Sequence, residues 1–330
     1  MAISSSLGSS ALLPAGLGFR NVLINGDMRI NQRGGSYTSV GYTLDRWNMT
    51  VTGAYTVSQS TSTPPTGFQN FMRLQRTSGS GNTGVPQIFQ SLETSNSIPL
   101  QGKQVTVSFY ARAGANYSAT SNAFNWRIYA GTGTDQAINA YTGQTILFDQ
   151  SVTLTTSWQR FTYTTTALTS YNEYGLFFFS VPTGTAGADD YFDITGVQLE
   201  QNYQPTPFEQ RPIGVELALC QRYYCRIVAT SAYGTLADGA AGDTINAYFY
   251  TIAPVTMRVR PTSVESSNII LGDIVGVFLC NAVVLDTVVS NAHRPAVFIA
   301  ATTAVLTAAK RYFVLGYNDA AAYLAFSAEL

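Results

Sequence analysis

Residues 103–112 read KQVTVSFYAR, and this stretch decides the fold. Val105, Val107, Phe109 and Ala111 alternate with residues that are mostly polar, so all four point to the same side of an extended chain. A strict period of two is typical of an antiparallel strand with one buried face. The same alternation recurs at 71–77, 86–92, 124–130, 145–154 and 158–166. We therefore predict a series of short antiparallel strands.

Two stretches depart from this alternation in informative ways. Residues 174–181 (YGLFFFSV) are apolar on both faces, so this strand needs cover from a second sheet and from a loop or a neighbouring subunit. Residues 190–199 change phase at Gly196, which predicts a bulge. Roughly eight to ten strands without intervening helices predict a jelly roll or β-sandwich over residues 21–204.

The composition favours a surface that is polar but uncharged. Charged residues make up 11% of the chain and the net charge is -1, whereas soluble domains average roughly 25% charged residues. Removing water from such a surface costs little free energy, which suits contacts with other subunits or with sugars. The sequence has no basic run, so we expect no nucleic-acid partner. The three cysteines lack metal-ligand spacing and are predicted to be buried free thiols.

The first twenty residues are predicted to be an arm that orders against a partner. They are small and polar, and Leu12, Leu13 and Pro14 form their only concentrated apolar feature. Met1 to Gly18 contains no Lys or Arg and no continuous apolar run. We therefore expect neither a signal peptide nor membrane insertion, and synthesis in a reducing cytoplasm.

Beyond the predicted sandwich, the pattern changes from strands to a short helix and back. Residues 205–226 are predicted to be a linker with a helix over 213–226. Its apolar residues recur at spacings of four, three and four: Ile213, Leu217, Cys220 and Tyr224. Such a seam is either a short coiled coil between subunits or one side of a domain core. Residues 227–330 are predicted to be a second β-rich domain, whose many apolar residues favour burial in an oligomer.

The sequence offers little that points to catalysis. His293 is the only histidine and lies in a predicted turn, without a nucleophile-elbow motif. The densest acidic cluster is Asp189, Asp190 and Asp193. A solvated strand edge is the favoured interpretation, with a structural Ca²⁺ site and a pair of catalytic carboxylates as alternatives. We therefore predict no enzyme and no cofactor other than that possible Ca²⁺.

Aromatic residues provide the candidate glycan contacts, because their apolar ring faces stack on sugar rings. The candidates are Trp158, Tyr163 and Tyr141. Trp158 and Tyr163 face opposite sides of one predicted strand, so only one of them belongs to the core.

Several motifs resemble those of bacteriophage tail-fibre and virion-appendage proteins, common in phages of cyanobacteria. They are residues 19–34 (FRNVLINGDMRINQRG), 43–47 (TLDRW), 192–200 (FDITGVQLE), 207–209 (PFE), 211–214 (RPIG), 216–224 (ELALCQRYY), 257–262 (MRVRPT) and 327–330 (SAEL). The resemblance implies a virion-attachment arm, a jelly roll similar to carbohydrate-binding modules, and a small C-terminal β domain.

The resemblance also implies a function for the chain. We expect a structural protein of the virion that forms a homotrimeric tail fibre or appendage, joins other virion proteins through its N-terminal arm and adheres to host surface glycans. The alternatives are a head fibre or decoration protein without a receptor role, and a polysaccharide depolymerase.

Overall fold

The computed structural model describes residues 18–51 and 53–330. The predicted attachment residues Leu12, Leu13 and Pro14 lie outside the described residues. Contacts divide the chain into two compact units. Unit 1 comprises residues up to 27, 38–40 and 49–210, and unit 2 comprises 28–37, 41–48 and 211–330.

The predicted all-β class is confirmed. Up to residue 200 the strands are β1 (Ser36–Tyr37), β2 (Gly41–Tyr42), β3 (Asn48–Thr50), β4 (Tyr55–Ser60), β5 (Phe71–Arg76), β6 (Gln87–Ser91), β7 (Thr106–Ala113), β8 (Ala123–Gly131), β9 (Thr145–Thr153), β10 (Gln159–Thr164), β11 (Glu173–Phe179) and β12 (Tyr191–Glu200). The helical turns among them are α1 (Thr94–Ser97) and 3-10 turns at Ile98–Leu100, Thr120–Asn122 and Ile138–Ala140. From β5 onward these strands fall where alternation predicts them.

Unit 1 is a sandwich of two sheets with jelly-roll connections, as predicted. Five strands of sheet A lie in the order β4-β5-β12-β7-β10, and five strands of sheet B lie in the order β3-β6-β11-β8-β9. Aromatic rings from both sheets fill the space between them. Phe109 of β7 packs edge-on against Phe124 of β8 and Phe178 of β11, with centroids 6.0 and 5.1 Å apart.

Strand β11 is buried on both faces, as its sequence predicts. Phe178 points between the sheets, whereas Phe177 points outward and stacks on Phe89 at 5.9 Å. Ile138 and Tyr141, from the loop between β8 and β9, pack against this outer pair. A loop of the same chain therefore supplies the second cover.

The predicted bulge at Gly196 is also confirmed. The pairing of β12 with β7 shifts register between Thr195 and Gln198. Gly196 has φ +61°, and a Cβ placed there would lie 2.6 Å from Cζ of Phe68. Glycine is required here by both the backbone conformation and the close approach of a ring.

From residue 211 onward, unit 2 contains one helix and ten strands. They are α2 (Ile213–Gln221), β13 (Tyr224–Val228), β14 (Thr235–Ala241), β15 (Asn246–Tyr250), β16 (Ser263–Ser267), β17 (Ile269–Gly272), β18 (Val277–Phe278), β19 (Cys280–Leu285), β20 (Ala296–Ala301), β21 (Arg311–Gly316) and β22 (Tyr323–Ser327). One sheet has the order β13-β22-β16 and the other the order β18-β17-β21-β14-β15-β20-β19. Only Leu279 separates β18 from β19, so the two edges of the larger sheet meet and the sheet curls around its core.

Helix α2 is shorter than the predicted 213–226. It ends at Gln221, and Tyr224 already belongs to β13, where it pairs with Ser327 of β22. The reason is the aromatic and β-branched composition of residues 223–228, which favours pairing with an available strand over continuing the helix.

Residues 28–37 and 41–48 belong to unit 2, although sequence order alone assigns them to the sandwich. Gln32 Nε2 donates to the carbonyl of Tyr224 at 2.7 Å, and Arg226 Nη1 donates to the carbonyl of Gln32 at 2.9 Å. Strand β13 is thus tied to a segment that precedes the sandwich strands in the sequence.

Unit 2 contains a buried cluster of charged and aromatic residues around Glu329. Arg46, with 2% of its side chain exposed, pairs with Glu329, and Arg33 Nη2 lies 3.3 Å from the other oxygen of this carboxylate. The Arg46 guanidinium lies 3.5 Å from the ring centroid of Tyr223, and that of Arg33 lies 3.7 Å from the centroid of Tyr224. We call these five residues the C-terminal clasp. Four of the sequence motifs meet in it, namely 19–34, 43–47, 216–224 and 327–330.

Among the described residues, we find no helix with the length and apolarity that crossing a bilayer requires.

Candidate functional site

The outer face of sheet A brings charged side chains together where adjacent strands are in register. Asp193 of β12 pairs with Arg112 of β7 on one side and with Arg73 of β5 on the other. The neighbours of Asp193 along the strand, Phe192 and Ile194, point inward and are buried. Alternation therefore places the three charged residues in one row on the outer face.

Both oxygens of Asp193 are held by guanidinium groups. Oδ1 accepts from Arg73 Nε at 2.8 Å, and Oδ2 accepts from Arg73 Nη2 at 2.9 Å and from Arg112 Nε at 2.8 Å. The Asp193 side chain is fully buried, whereas those of Arg73 and Arg112 are 28% and 14% exposed. The hydrogen bond to Asp193 raises the pKa of Arg73, which keeps it charged. The charged groups exposed to solvent here are therefore the guanidinium groups and not the carboxylate.

Aromatic rings lie beside both arginines. The Arg73 guanidinium is 3.6 Å from the ring centroid of Tyr191, and that of Arg112 is 4.8 Å from the centroid of Trp158. Trp158 is fixed by its Nε1, which donates to the carbonyl of Thr63 at 2.8 Å. Both rings are half-buried, so part of each remains accessible. We call the following residues the arginine face: Arg73, Arg112, Trp158, Tyr191 and Asp193.

The chain itself covers one end of this side of sheet A. Phe68 lies 5.2 Å from Tyr110 of β7 and 5.2 Å from Phe208, measured between ring centroids. The missing side chain of Gly196 leaves room for Phe68. The accessible part of the sheet therefore lies toward the arginine face.

The chemistry of the arginine face suits binding. Guanidinium groups offer planar pairs of N–H donors, and the adjacent rings offer apolar surface. A sugar ring presents the complementary pattern, with hydroxyl oxygens at its edge and C–H groups on its faces. Because Asp193 is buried and both its oxygens are engaged, it is poorly placed to act as a general base.

Of the predicted glycan contacts, only Trp158 lies on the arginine face. Tyr163 points between the sheets and packs edge-on against Trp126 at 5.4 Å. Tyr141 is buried against sheet B, and its hydroxyl donates to the carbonyl of Tyr174 at 2.9 Å. The prediction that Trp158 and Tyr163 face opposite sides is confirmed, whereas Tyr163 and Tyr141 serve packing.

Sequence analysis missed Tyr191, Arg73 and Arg112 as members of the site. Each lies on a predicted strand, but its neighbours on the adjacent strands depend on the register. The one available signal was the alternation within β7, which places Arg112 on the polar face opposite Phe109.

The three acids considered for a metal site are not brought together. Asp190 is buried and pairs with Arg76 at 2.8 Å, Asp193 is held by the arginine face, and Asp189 is exposed. Within residues 18–51 and 53–330, no group of three or more His, Cys, Asp or Glu side chains is placed to hold a metal ion. The two buried carboxylates neutralise arginines instead.

The predicted oligomer contacts divide into two pairs. Cys220 and Tyr224 are buried within unit 2, so they are not accessible to a neighbouring subunit. Tyr224 lies beyond the end of the helix at Gln221, so the expected seam does not continue to it. Ile213 is 53% exposed and Leu217 is half-buried, so these two stay available for contacts.

Unit 2 carries a separate apolar groove of about 500 Å³. Its floor is formed by residues that lie side by side on adjacent strands. Tyr248 of β15 pairs with Phe298 of β20, and Phe298 pairs with Val284 of β19. Val288, on the rim, is 89% exposed. His293 is exposed and lines a smaller depression of about 220 Å³.

Comparisons with known proteins find weak similarity to solved structures. No protein-family model matches the sequence, and no curated protein matches it either. One similar solved structure is the enzymatically active domain of tailspike protein 4 from bacteriophage CBA120, with a TM-score of 0.37, 11% identity and 56% of this chain covered. This chain spans 22% of that structure's length.

Two further similar structures are carbohydrate-binding modules. A CBM4 module has a TM-score of 0.34 and 20% identity, and the match covers 54% of this chain and 98% of the module. The CBM22-1 xylan-binding domain of Xyn10C from Paenibacillus barcinonensis has a TM-score of 0.32 and 14% identity, and the match covers 52% of this chain and 95% of that domain. Similarity at this level carries no functional argument.

Proposed function

We propose that this chain is a non-enzymatic structural subunit of a phage tail fibre or similar virion appendage, and that its arginine face adheres to glycans of the host surface. The observation that carries the adhesive role is the combination, on one strand face, of accessible aromatic rings with fixed guanidinium donors. The virion role is supported by the motif resemblance.

The rigidity of the arginine face supports a binding role. Arg73 is fixed by two hydrogen bonds to Asp193 and by its contact with Tyr191. Trp158 is fixed by its hydrogen bond to Thr63. Groups that are already ordered lose little conformational entropy when a ligand binds, so weak contacts retain more of their free energy. Many copies on one appendage would then raise the total affinity through multivalency.

The non-enzymatic role is supported by the state of Asp193. Glycoside hydrolysis uses two carboxyl groups that flank the scissile bond. The carboxylate in this row is fully buried and accepts three hydrogen bonds from arginines. Its environment suits the ordering of guanidinium groups rather than proton transfer to a substrate.

The test is a binding screen of the purified protein against host capsule, lipopolysaccharide and a defined glycan array, together with Trp158→Ala and Tyr191→Ala. We expect reversible binding without cleavage. Losing one stacking ring should weaken binding by about tenfold, since an aromatic contact contributes on the order of 1 kcal/mol or more.

Tyr203→Ala is the matched control, because Tyr203 is a tyrosine of unit 1 with 64% exposure that lies outside the arginine face. Circular dichroism and thermal unfolding establish that each variant is folded. Release of new reducing ends from the glycan would contradict the non-enzymatic role. Binding that survives both ring deletions would contradict the assignment of this face.

Self-association through unit 2 is part of the proposal, with a homotrimer as the expected state. Its support is the exposed apolar surface of this unit: Ile274 is 95% exposed, Val288 is 89% exposed and Ile252 is 68% exposed. Apolar side chains exposed to this extent are typical of surfaces that become covered in an assembly.

Attachment to the particle is assigned to residues 1–20 on the strength of the motif resemblance. Deleting residues 1–18 should leave a folded protein that no longer joins virions, as measured by immunoblotting of purified particles. Normal incorporation of this truncated protein would contradict the attachment role.

A further inference from the structure

The charged groups that the arginine face presents to solvent are hydrogen-bond donors. Each guanidinium group carries five N–H donors. Asp193 takes two from Arg73 and one from Arg112, and the hydroxyl of Thr63 takes another from Arg112 at 3.2 Å. The partly exposed guanidinium groups offer the remaining N–H groups, whereas both acceptor oxygens of Asp193 are engaged in a fully buried side chain.

The charge of the row is positive. Two guanidinium groups face one carboxylate, which leaves an excess of one positive charge in a chain whose net charge is -1. Asp189 is exposed and lies in the turn before β12, outside this row.

The charges farther along sheet A are balanced. Arg20 lies 3.8 Å from Glu209, and Arg160 donates to the carbonyl of Thr206. Glu200 is buried and accepts from the amide of Thr206 at 2.8 Å. Two arginines and two glutamates thus offset one another there, so the excess positive charge belongs to the arginine face.

We infer that the arginine face selects acidic glycans, whose carboxylate groups accept paired N–H donors from Arg73 and Arg112 while their sugar rings contact Tyr191 and Trp158. This inference rests on the proposed function and names the substrate class for the same site. A planar guanidinium matches a carboxylate with two parallel hydrogen bonds, a geometry that a lysine does not provide.

The test uses matched pairs of polysaccharides whose carboxyl groups are either ionised or masked as neutral methyl esters: polygalacturonate, alginate and hyaluronate, each beside its methyl-esterified form. Affinity is measured by isothermal titration or biolayer interferometry at two salt concentrations. We expect at least one acid form to bind about tenfold or more tightly than its ester, the change produced by losing one hydrogen bond to a charged group. We also expect that preference to shrink at high salt.

Variants assign the effect to the face. Arg73→Gln should lower the affinity for the acid form by about tenfold or more, whereas Arg73→Lys should lower it less, because the charge remains and the planar fork is lost. Arg127→Gln is the matched control. Arg127 also lies over a ring, 4.5 Å from the centroid of Phe179, and pairs with Asp149 at 2.8 Å, but it belongs to sheet B.

Each outcome decides between the claims. A preference for the acid form that Arg73→Gln abolishes and Arg127→Gln leaves intact supports the inference. Equal binding of acid and ester forms, or binding of neutral glycans only, overturns the inference while the proposed adhesive function survives. No binding to any glycan in either screen overturns both. Urea denaturation of Arg73→Gln and Arg73→Lys ensures that a loss of binding is measured on folded protein.

Discussion

Glu329→Gln should destabilise unit 2 severely, although Glu329 is the penultimate residue of the chain. The substitution preserves the shape of the side chain but removes the charge that Arg46 faces in a site where the two side chains are 2% and 5% exposed. Removing one partner of a buried ion pair costs about 3–5 kcal/mol, because the other charge stays buried without compensation. With a urea m-value of about 2 kcal/mol/M, a loss of 3 kcal/mol lowers the unfolding midpoint by about 1.5 M.

The assay is equilibrium unfolding in urea, followed by tryptophan fluorescence. Trp47 is fully buried and adjacent to Arg46 in the sequence, so it reports on unit 2 once Trp126 and Trp158 of unit 1 are replaced by Phe. The matched control is Asp238→Asn, which breaks an ion pair of unit 2 whose two side chains are 68% and 48% exposed. This control should cost less than about 1 kcal/mol.

Equal midpoint shifts for Glu329→Gln and Asp238→Asn would contradict a dominant role of the buried ion pair in the stability of unit 2. A second comparison separates lost charge compensation from lost packing. Adding Arg46→Met to Glu329→Gln should restore part of the stability, because the combination removes the buried cation that was left without its partner. A double variant less stable than Glu329→Gln would show that the Arg46 contacts other than the ion pair dominate.

The remaining predictions concern the backbone, the thiols and self-association. Gly196→Ala should destabilise unit 1 by about 1–3 kcal/mol, because residue 196 has a φ of +61° and the new Cβ would lie 2.6 Å from the Phe68 ring. Thermal unfolding measures this loss, and an unchanged melting temperature would contradict it. In the native protein, maleimide should react first with the half-buried Cys280 and with Cys225 only on unfolding, as peptide mapping would show. Burial raises the pKa of the Cys225 thiol from 9.0 to about 12. The buried thiol therefore contributes fully to the stability of the folded state below pH 9, and this contribution is lost as the pH rises toward about 12. The urea midpoint should fall across that pH window. Val288→Asp should shift sedimentation toward monomer without changing the fold, because Val288 is 89% exposed, and unchanged association would exclude this residue from the interface.

The local periodicity of apolar residues was sufficient to predict most strands of the sandwich. The strands from β5 to β12, the double burial of β11 and the bulge at Gly196 all follow from alternation and from its interruptions. These features are predictable because the geometry of an extended chain fixes which side each residue faces, whatever the strand later pairs with.

The helix boundary illustrates a limit of the same reasoning. The apolar spacing that predicted a seam through Tyr224 is equally compatible with a helix that ends at Gln221 and a strand that follows it. The availability of β22 as a pairing partner decides between the two, and that strand lies about a hundred residues farther along the chain.

The site and the clasp depended on tertiary structure. Trp158 was predicted as a surface aromatic, but its neighbour Arg112 and the row through Asp193 and Arg73 exist only because β5, β12 and β7 are adjacent and in register. The amino-acid sequence by itself determined which residues face outward on each strand, since that depends on neighbours in the chain. The three-dimensional fold decided which outward residues meet, because hydrogen bonds between strands join residues far apart in sequence, as when Arg46 meets Glu329 across 283 positions.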